Sequence, residues 1–301
     1  MIDKWVVSVL EKIRGQKEAR RVYHGRGGLH NGPVDLALEW YPPILLALVY
    51  KEEAKAELDS IESLFENEPE IESFVIQDRW MSGRPAWEVR FGEVQGQQTA
   101  IEDGLTYRVS FLGRQNPGIF LASRVARQWV KAHSKGLRVL NLFSFTGAFG
   151  VCALEGGANE VVQVDMKRGP LMEGKENLEL NGRSSSESEF WCHDILRSKG
   201  KIRKRGPWDL VILDPPTFQK GAWSLEKDLP KIIRALEDWT SSHAKVLLCI
   251  HDPFMNEADI TNWMEGDGRP WKKMEKLSLP KGFEEKDPDS GLKVLSFQKV
   301  L

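Results

Sequence analysis

The sequence predicts an α/β protein in which a doubly wound parallel sheet, ending in an antiparallel hairpin, follows a smaller α+β domain. Beyond Gly136, short apolar segments alternate with amphipathic helical segments, which is typical of a parallel sheet. Before Gly113, short strands surround one long charged helix. The 301 residues, 41% hydrophobic and 29% charged, suit two globular domains, which we predict over residues 1–113 and 114–301.

The first domain is predicted from its helical and alternating periodicities. Trp5, Val9 and Ile13 share one side of an initial helix, and Asp103-Gly104 is a strong signal for a hairpin turn. We therefore expect a small mixed sheet that carries one long helix. The predicted elements are a helix over 1–20, strands over 34–41 and 44–51, a helix over 52–67, and strands over 73–80, 86–94, 98–103 and 104–111.

The second domain is predicted from the alternation of strands and helices. We expect a loop between its third and fourth strands and an antiparallel pair at its end. The predicted strands cover 138–143, 161–165, 189–194, 209–214, 245–250, 271–279 and 293–301. The predicted helices cover 120–131, 146–157, the segment that ends near 182, 225–240 and 258–266.

Composition predicts a cytoplasmic chain. No apolar run reaches the roughly 18 residues of a membrane span, and the charged start does not resemble a signal peptide. Cys152, Cys192 and Cys249 are scattered, so we expect neither a disulfide framework nor a metal site. The sequence leaves monomer and homodimer open.

Two local clusters of charge are basic, although the net charge is −2. The first contains Arg20, Arg21 and Arg26, which are candidate contacts to RNA phosphates, and the second is RSKGKIRKRG at 197–206. For either cluster alone, a solvated helix face or a solvated loop is the favoured explanation.

Small polar residues come after the first strand of the parallel sheet, where folds of this kind bind ligands. The segment NLFSFTG allows a ligand to approach the backbone closely. It contains neither GxGxxG nor a Walker lysine, which disfavours a pyrophosphate site. The candidate cofactor residues of this turn are Asn141, Phe143, Ser144, Thr146 and Gly147.

Acids end the next three strands. Asp165 has the spacing of an acid that binds a ribose diol, and Asp194 is placed to accept a hydrogen bond from an adenine amine. Each acid alone, Asp214 included, is more often a helix cap or a solvated strand end. Together with the adjacent Met166 and Ile195 they predict a nucleoside site, and a nucleoside without pyrophosphate fits S-adenosylmethionine.

These motifs carry a more specific resemblance. NLFSFTG, the VD strand end after it, NLELNG and DPPTF together resemble the Rossmann-like class I methyltransferase domain of bacterial ribosomal RNA large-subunit methyltransferases. The similarity is greatest to the branch that methylates guanine N7 of 23S rRNA, and it extends over most of the chain. It implies S-adenosylmethionine as cofactor, rRNA as substrate, and an N-terminal domain that recognises RNA.

The segment GIFLASR (118–124) resembles the family's GLFLDHR, which implies cofactor contacts by Phe120 and Arg124. This chain departs from the family at Ala122-Ser123, where the family has Asp-His, and at 219–223, directly after DPPTF. A polar contact is therefore expected to be missing, and the resemblance does not give the identity of the base.

The segment LVILDPPTF (210–218) predicts how an acceptor is held. Its candidate catalytic residues are Asp214, Pro215, Pro216 and Phe218, and Asp214 is also a candidate cofactor contact. Two prolines stiffen the loop, which favours an in-line geometry for methyl transfer, and Phe218 is positioned to stack on an unpaired base. The structural alternative is that the prolines end a strand and Phe218 packs in the core.

The residues after the fifth strand narrow the choice of acceptor atom. Methylation at pyrimidine C5 requires a cysteine thiolate, but His251 stands where related enzymes place that cysteine, and Cys249 is expected in the core. Guanine N7 carries a free lone pair and needs only orientation, so it is the favoured atom. His251 is a candidate contact to the base or a cap of the next turn.

Two other functions are compatible with the sequence. One is a methyltransferase of a small molecule or a protein on the same fold. The other is a non-catalytic RNA-binding protein with a degenerate cofactor pocket, which the departure at Ala122-Ser123 leaves open. A nicotinamide oxidoreductase is disfavoured because the phosphate-binding turn is absent.

Overall fold

The computed structural model describes residues 3–80, 86–94 and 96–300, and the chain divides into two compact units. The first unit comprises Met1–Ala122 with Pro280–Pro288, and the second comprises Ser123–Leu279 with Asp289–Leu301. A segment close to the C-terminus therefore belongs to the first unit. The ends of the predicted first helix and last strand, positions 1, 2 and 301, lie outside the described residues.

The first unit contains a five-stranded mixed sheet, two helices and a separate hairpin. Its elements are α1 (Lys4–Ile13), β1 (Arg20–His24), β2 (Leu36–Tyr41), β3 (Ile44–Val49), α2 (Glu52–Glu66), β4 (Ser73–Asp78), β5 (Ala86–Phe91), β6 (Gln98–Glu102) and β7 (Leu105–Val109). The sheet has the order β1-β2-β3-β4-β5, and its β3–β4 pair is parallel while the other pairs are antiparallel. The strands β6 and β7 pair through the predicted turn at Asp103-Gly104.

Burial explains this arrangement. Every residue of β2, β3 and β4 is buried, and the apolar faces of α1 and α2 pack with these strands into one core. The predicted mixed sheet with one long helix is thus confirmed. The first helix is shorter than predicted, because it ends at Ile13 and the chain turns at Gly15, whose φ is +69°. The strand β1, which pairs with β2, was not predicted.

The second unit alternates strands and helices, as predicted. Its elements are α3 (Arg124–His133), β8 (Arg138–Leu142), α4 (Ala148–Glu155), β9 (Glu160–Asp165), α5 (Arg168–Leu180), β10 (Ser188–Cys192), α6 (Lys199–Arg205), β11 (Trp208–Leu213), β12 (Phe218–Gln219), β13 (Trp223–Ser224), α7 (Leu225–Trp239), β14 (Thr240–Ile250), α8 (Glu257–Glu265), β15 (Trp271–Leu277) and β16 (Lys293–Lys299).

The large sheet has the order β10-β9-β8-β11-β14-β16-β15. Its first five strands pair in parallel, and β16 lies antiparallel to both β14 and β15, which confirms the predicted doubly wound sheet and terminal hairpin. The loop predicted before β11 is wrong, because α6 lies there. This helix is anchored by a single fully buried apolar residue, Ile202, and one residue gives no recognisable helical periodicity.

Strand register aligns the carboxyl edge of this sheet. One row of paired residues crosses four strands and consists of Val164, Leu142, Leu213 and Leu248. The residues directly after this row are Asp165, Phe143, Asp214 and Cys249. Because neighbouring strands lie about 4.8 Å apart, the backbones at Asp165 and Asp214 are separated by two strand spacings, or roughly 10 Å.

A buried chain of polar side chains lies between α4 and the sheet. The amide of Asn141 donates a hydrogen bond of 3.3 Å to Gln163, whose own amide donates one of 3.3 Å to the Ser188 hydroxyl. A Cβ atom at Gly150 would lie only 2.3 Å from the Gln163 side chain. The close packing of α4 on the sheet therefore requires glycine at this position.

Within the described ranges, no helix is both long enough and apolar enough to cross a membrane. The same residues contain no group of three or more histidine, cysteine or acidic side chains that is arranged to hold a metal ion.

We expect Gly150→Ala to lower the thermal midpoint of unfolding. Overpacking against Gln163 should cost about 1–3 kcal/mol, more than the roughly 0.5–1 kcal/mol that alanine contributes in a helix. Gly169→Ala on α5 is the matched control, because a Cβ there meets no atom within 4 Å, and it should stabilise slightly. Equal midpoints for the two variants, measured by calorimetry, would refute the close-packing argument.

Candidate active site

The turn after β8 adopts an unusual backbone conformation. Phe143, Phe145 and Gly147 have φ values of +59°, +48° and +72°, so two phenylalanines occupy the left-handed region. Such a conformation costs on the order of 1–2 kcal/mol for each non-glycine residue and persists only where neighbouring contacts impose it. The Ser144 amide donates a hydrogen bond of 3.1 Å to the Val164 carbonyl on the adjacent strand, which fixes the turn against β9.

Asp165 is the second constraint on this turn. One carboxylate oxygen accepts a hydrogen bond from the Phe145 amide at 3.0 Å, and the other accepts one from the Lys167 amide at 2.8 Å. Each oxygen has a further lone pair, and the side chain is partly exposed. Asp165 is therefore held rigidly with acceptor capacity left for hydroxyl donors such as those of a ribose.

Two polar atoms near the turn have no hydrogen-bond partner among the described residues. They are Asn141 Oδ1 and Ser144 Oγ, and both side chains are buried. Buried polar atoms are normally paired, so these two are available to hydrogen-bond with water or with a bound ligand. Thr146 is also buried, and its carbonyl accepts a hydrogen bond of 2.9 Å from Asn177 on α5.

The second predicted acid lies after β10. Asp194 Oδ1 accepts a hydrogen bond of 3.1 Å from the Arg197 amide, and Oδ2 lies 3.6 Å from the Arg197 guanidinium. Asp194 therefore caps the next turn while remaining partly exposed. The neighbouring Ile195 belongs to the hydrophobic core, whereas Met166, beside Asp165, exposes 44% of its surface.

Asp214 has a different electrostatic environment from Asp165. Desolvation raises the pKa of Asp214 from 3.8 to about 7, and the positive charge of Arg127 partly offsets this increase. Cys249, on the neighbouring strand, is fully buried, and burial together with the charge of Asp214 raises the pKa of its thiol well above the ordinary value. This part of the edge thus holds a carboxyl group that titrates near neutrality and a thiol that stays protonated.

The loop after Asp214 is fastened by Trp223. The indole Nε1 donates a hydrogen bond of 2.7 Å to the Pro216 carbonyl, and the Trp223 ring packs edge-on against Phe143 at 4.7 Å. The short β12–β13 pair and a 3.0 Å hydrogen bond from the Leu225 amide to the Thr217 carbonyl complete the loop. The Phe218 side chain projects outward with 66% of its surface exposed, so the core-packing alternative for Phe218 is wrong.

A second loop is joined to this one. The Thr217 hydroxyl donates a hydrogen bond of 2.7 Å to the carbonyl of His251, the first residue after β14. The His251 side chain is exposed, and the next residue, Asp252, is buried. The structure thereby brings the backbone of His251 to the Asp214 loop, and the role of His251 in substrate binding stays a prediction.

The remaining predicted residues lie mostly in the first unit. Phe120 exposes 42% of its surface there, whereas Arg124 begins α3 in the second unit and is partly buried. Arg26 is exposed and lies over the Tyr50 ring at 4.4 Å. These positions are compatible with ligand contacts. Phe120 and Arg26 belong to the first unit, and Arg124 belongs to the second.

Arg21 has a structural role that the sequence did not indicate. It forms a 2.7 Å ion pair with Glu39, lies over the Phe283 ring at 4.0 Å, and exposes only 12% of its side chain. Arg20 is half-buried, and its Nε is buried without a hydrogen-bond partner among the described residues. Of the three candidate arginines, Arg21 and part of Arg20 therefore belong to the first unit's own packing, and Arg26 is exposed.

Sequence reasoning missed two residues that shape the site. Arg127 is 2% exposed and supplies the charge that moderates the pKa of Asp214, while Trp223 holds the proline loop. An arginine within the buried stripe of an amphipathic helix was an available signal for Arg127, since Ala126 and Val130 are its buried neighbours. For Trp223, no local sequence pattern indicated its hydrogen bond to the Pro216 carbonyl.

Known proteins are similar to this chain in sequence or in fold. A family model described as S-adenosylmethionine-dependent methyltransferase matches residues 20–298. Ribosomal RNA large subunit methyltransferase I of Aeromonas hydrophila is 38% identical over 133 residues, which cover 43% of this chain and 34% of that protein. The protein of the same name from Photobacterium profundum is 29% identical over 225 residues, covering 69% of this chain and 57% of that protein.

The chain thus spans less than two thirds of the length of these curated relatives. Among solved structures, a protein from Streptococcus mutans that was assigned as an S-adenosylmethionine-dependent methyltransferase superposes with a TM-score of 0.85 at 22% identity. The match covers 99% of this chain and 82% of that one, and it shows that the two share a fold.

We expect Asp165→Ala to weaken binding of S-adenosylhomocysteine by about 10- to 100-fold, because a charged acceptor of hydroxyl hydrogen bonds is lost. Titration calorimetry measures this change. Asp209→Ala is the matched control: Asp209 accepts a hydrogen bond of 3.0 Å from the Arg138 amide at the opposite edge of the same sheet. Its affinity should match that of the unmodified chain, and unchanged affinity for Asp165→Ala would remove the ribose assignment.

Proposed function

The chain belongs to the S-adenosylmethionine-dependent methyltransferase family, and we propose that it methylates a base of large-subunit ribosomal RNA. Guanine N7 is the acceptor atom that we favour. Residues 114–301 carry out the transfer in this proposal, and residues 1–113 recognise RNA. The named relatives support the substrate, because both are ribosomal RNA large subunit methyltransferases. Such a substrate places the enzyme in the cytoplasm.

One observation carries the proposal: a half-buried carboxyl group lies at the start of a stiff loop that projects an aromatic side chain into solvent. Asp214 precedes Pro215 and Pro216, and Phe218 is 66% exposed two residues later. An exposed ring on a rigid loop suits stacking on an unpaired base, which contributes about 1–3 kcal/mol. Asp214, at the start of the same loop, is then close to the base. The charge of the base changes during the reaction.

We assign the binding site of the cofactor to the residues that directly follow the parallel strands. Asp165 would hold the ribose and Asp194 the adenine amine, while Asn141 and Ser144 offer the unpaired polar atoms found at the turn. When bound, S-adenosylmethionine supplies a methyl group on a positively charged sulfur. The backbones at Asp165 and Asp214 lie roughly 10 Å apart, which leaves room for a nucleoside between the ribose acid and the proline loop.

Methylation at guanine N7 makes particular demands on the protein. The N7 lone pair attacks directly, so no proton has to be removed, and the base gains the positive charge that sulfur loses. An ionised Asp214 would stabilise that charge in its poorly solvated setting. The loop supplies orientation, which can account for a large part of the rate enhancement.

A cysteine-dependent reaction at cytosine C5 is not favoured. Cys249 has no exposed surface, and its raised pKa keeps the thiol protonated, whereas the reaction requires a thiolate that reaches the base. At the first position after the strand, His251 is exposed instead, and its backbone is tied to Thr217. We assign His251 a contact to the base.

The direct test is methyl transfer to ribosomal RNA. Purified chain should label transcripts of the large-subunit rRNA when S-adenosylmethionine is present, and mass spectrometry of the digested nucleosides should find 7-methylguanosine. Detection of 5-methylcytidine would contradict the acceptor atom. Absence of any methylated nucleoside, together with transfer to a small molecule or a protein, would contradict the substrate.

The pKa of Asp214 predicts a pH dependence of transfer. If the ionised form acts, kcat/KM should rise as the pH increases towards 7 and level off above it. Asp214→Asn should lower kcat by about 100-fold or more and abolish this rise, while retaining affinity for S-adenosylhomocysteine.

Asp228→Asn is the control for this experiment. Lys231 keeps the pKa of Asp228 below its ordinary value, so Asp228 stays ionised across the range and its variant should keep the wild-type profile. Asp214→Asn should also fold well. Because burial raises the pKa of Asp214, its ionisation costs folding free energy as the pH rises from 3.8 to about 7, and asparagine avoids that cost. Unchanged turnover in Asp214→Asn would remove its catalytic role.

A further inference from the structure

The two most exposed large hydrophobic side chains among the described residues are both phenylalanines. Phe254 exposes 94% of its surface and Phe218 exposes 66%. A single exposed apolar residue is common and needs no explanation. These two, however, lie in the loops after the neighbouring strands β11 and β14, at the edge that carries Asp214. Their shared location is the feature that requires an explanation.

The two loops form one connected platform. The strands pair in register up to Leu213 and Leu248, so the loops leave the sheet side by side. The Thr217 hydroxyl, one residue before Phe218, donates its 2.7 Å hydrogen bond to the His251 carbonyl, three residues before Phe254. The two loops that carry the rings are therefore joined by a hydrogen bond.

The exposure of Phe254 is imposed by its turn. Its amide donates a hydrogen bond of 2.9 Å to Asp252 Oδ1, and the Asp252 carbonyl accepts one of 2.8 Å from the fully buried Lys293 ammonium. The next residue, Met255, is buried in the core. Because both flanks are anchored, the Phe254 ring is presented to solvent by a defined backbone.

We propose that Phe254 stacks on an unpaired RNA base. This base is the neighbour of the target base, and Phe218 contacts the target base itself. This inference rests on the proposed function and extends it to the substrate class: RNA in which at least two neighbouring nucleotides are unpaired. Every nucleobase offers a flat π face to such a ring, and single-stranded RNA is commonly held in this way.

The surroundings of the two rings favour RNA over a protein partner. The exposed residues beside them in the loops include the polar or basic Thr217, Lys220 and His251, together with the small residues Gly221, Ala222 and Pro253. A protein-docking surface would present contiguous apolar residues, whereas isolated rings flanked by a lysine suit bases and phosphates. Phe254 acts here as a positioning residue, and it is not required for the chemistry.

The test uses the full chain and an unstructured oligoribonucleotide that contains 2-aminopurine, whose fluorescence is quenched by stacking. Phe254→Ala and Phe254→Leu should each weaken binding by about 5- to 100-fold, and Phe254→Tyr should bind like the wild type because it keeps an aromatic ring. Met274→Ala on β15 is the matched control, since Met274 is 61% exposed on the same unit, and it should bind normally. In turnover, Phe254→Ala should raise the KM for RNA and leave kcat unchanged.

The outcomes separate this inference from the proposed function. If the wild type methylates rRNA and Phe254→Ala binds the probe as tightly as the wild type, only the stacking role of Phe254 is refuted. A wild-type chain that neither binds the probe nor methylates rRNA refutes both. A dimer in sedimentation that Phe254→Ala dissociates, with RNA binding intact, would assign the ring to a second copy of the chain and overturn the inference. Unchanged S-adenosylhomocysteine affinity in the variants verifies that they are folded.

Discussion

The in-register parallel pairing of β9, β8, β11 and β14 is the constraint on which the candidate site depends. A slip of one residue in any pair would move Asp165 or Asp214 out of the row and turn its side chain to the other face of the sheet. The hydrophobic strands enforce this register, because most of their residues are buried and the carboxyl halves of the strands are almost entirely so. Burial of the apolar strands thus determines which polar residues lie together at the carboxyl edge of the sheet.

Two carboxylates in one row acquire different properties from their surroundings. Asp165 accepts hydrogen bonds from two backbone amides and serves as a rigid acceptor, while Asp214 is desolvated and its pKa is raised to about 7. A pair of similar groups whose environments differ in this way is a common basis for dividing binding from catalysis. The charge of Arg127, a buried residue of α3, partly offsets the increase in the pKa of Asp214.

Rigidity at this edge comes from side chains distant in sequence. Trp223 fastens the Pro216 carbonyl and packs on Phe143, and Thr217 joins the loop to the first residue after β14. Because these contacts fix the backbone, the two loops present the rings of Phe218 and Phe254 to solvent. An arrangement of this kind pre-organises a surface for flat partners and lowers the entropic cost of binding them.

The sequence by itself determined the doubly wound sheet, the terminal hairpin and the acids at the strand ends, because strand–helix alternation and hydrophobic runs are local patterns. It did not reveal α6, whose one buried anchor leaves no periodicity, or the burial of Arg21 against Glu39. The roles assigned to the individual site residues stay predictions. Only the tertiary structure decided which carboxyl group is desolvated, which loops are joined and which rings remain exposed, since burial and pKa depend on neighbours that the chain brings together from distant positions.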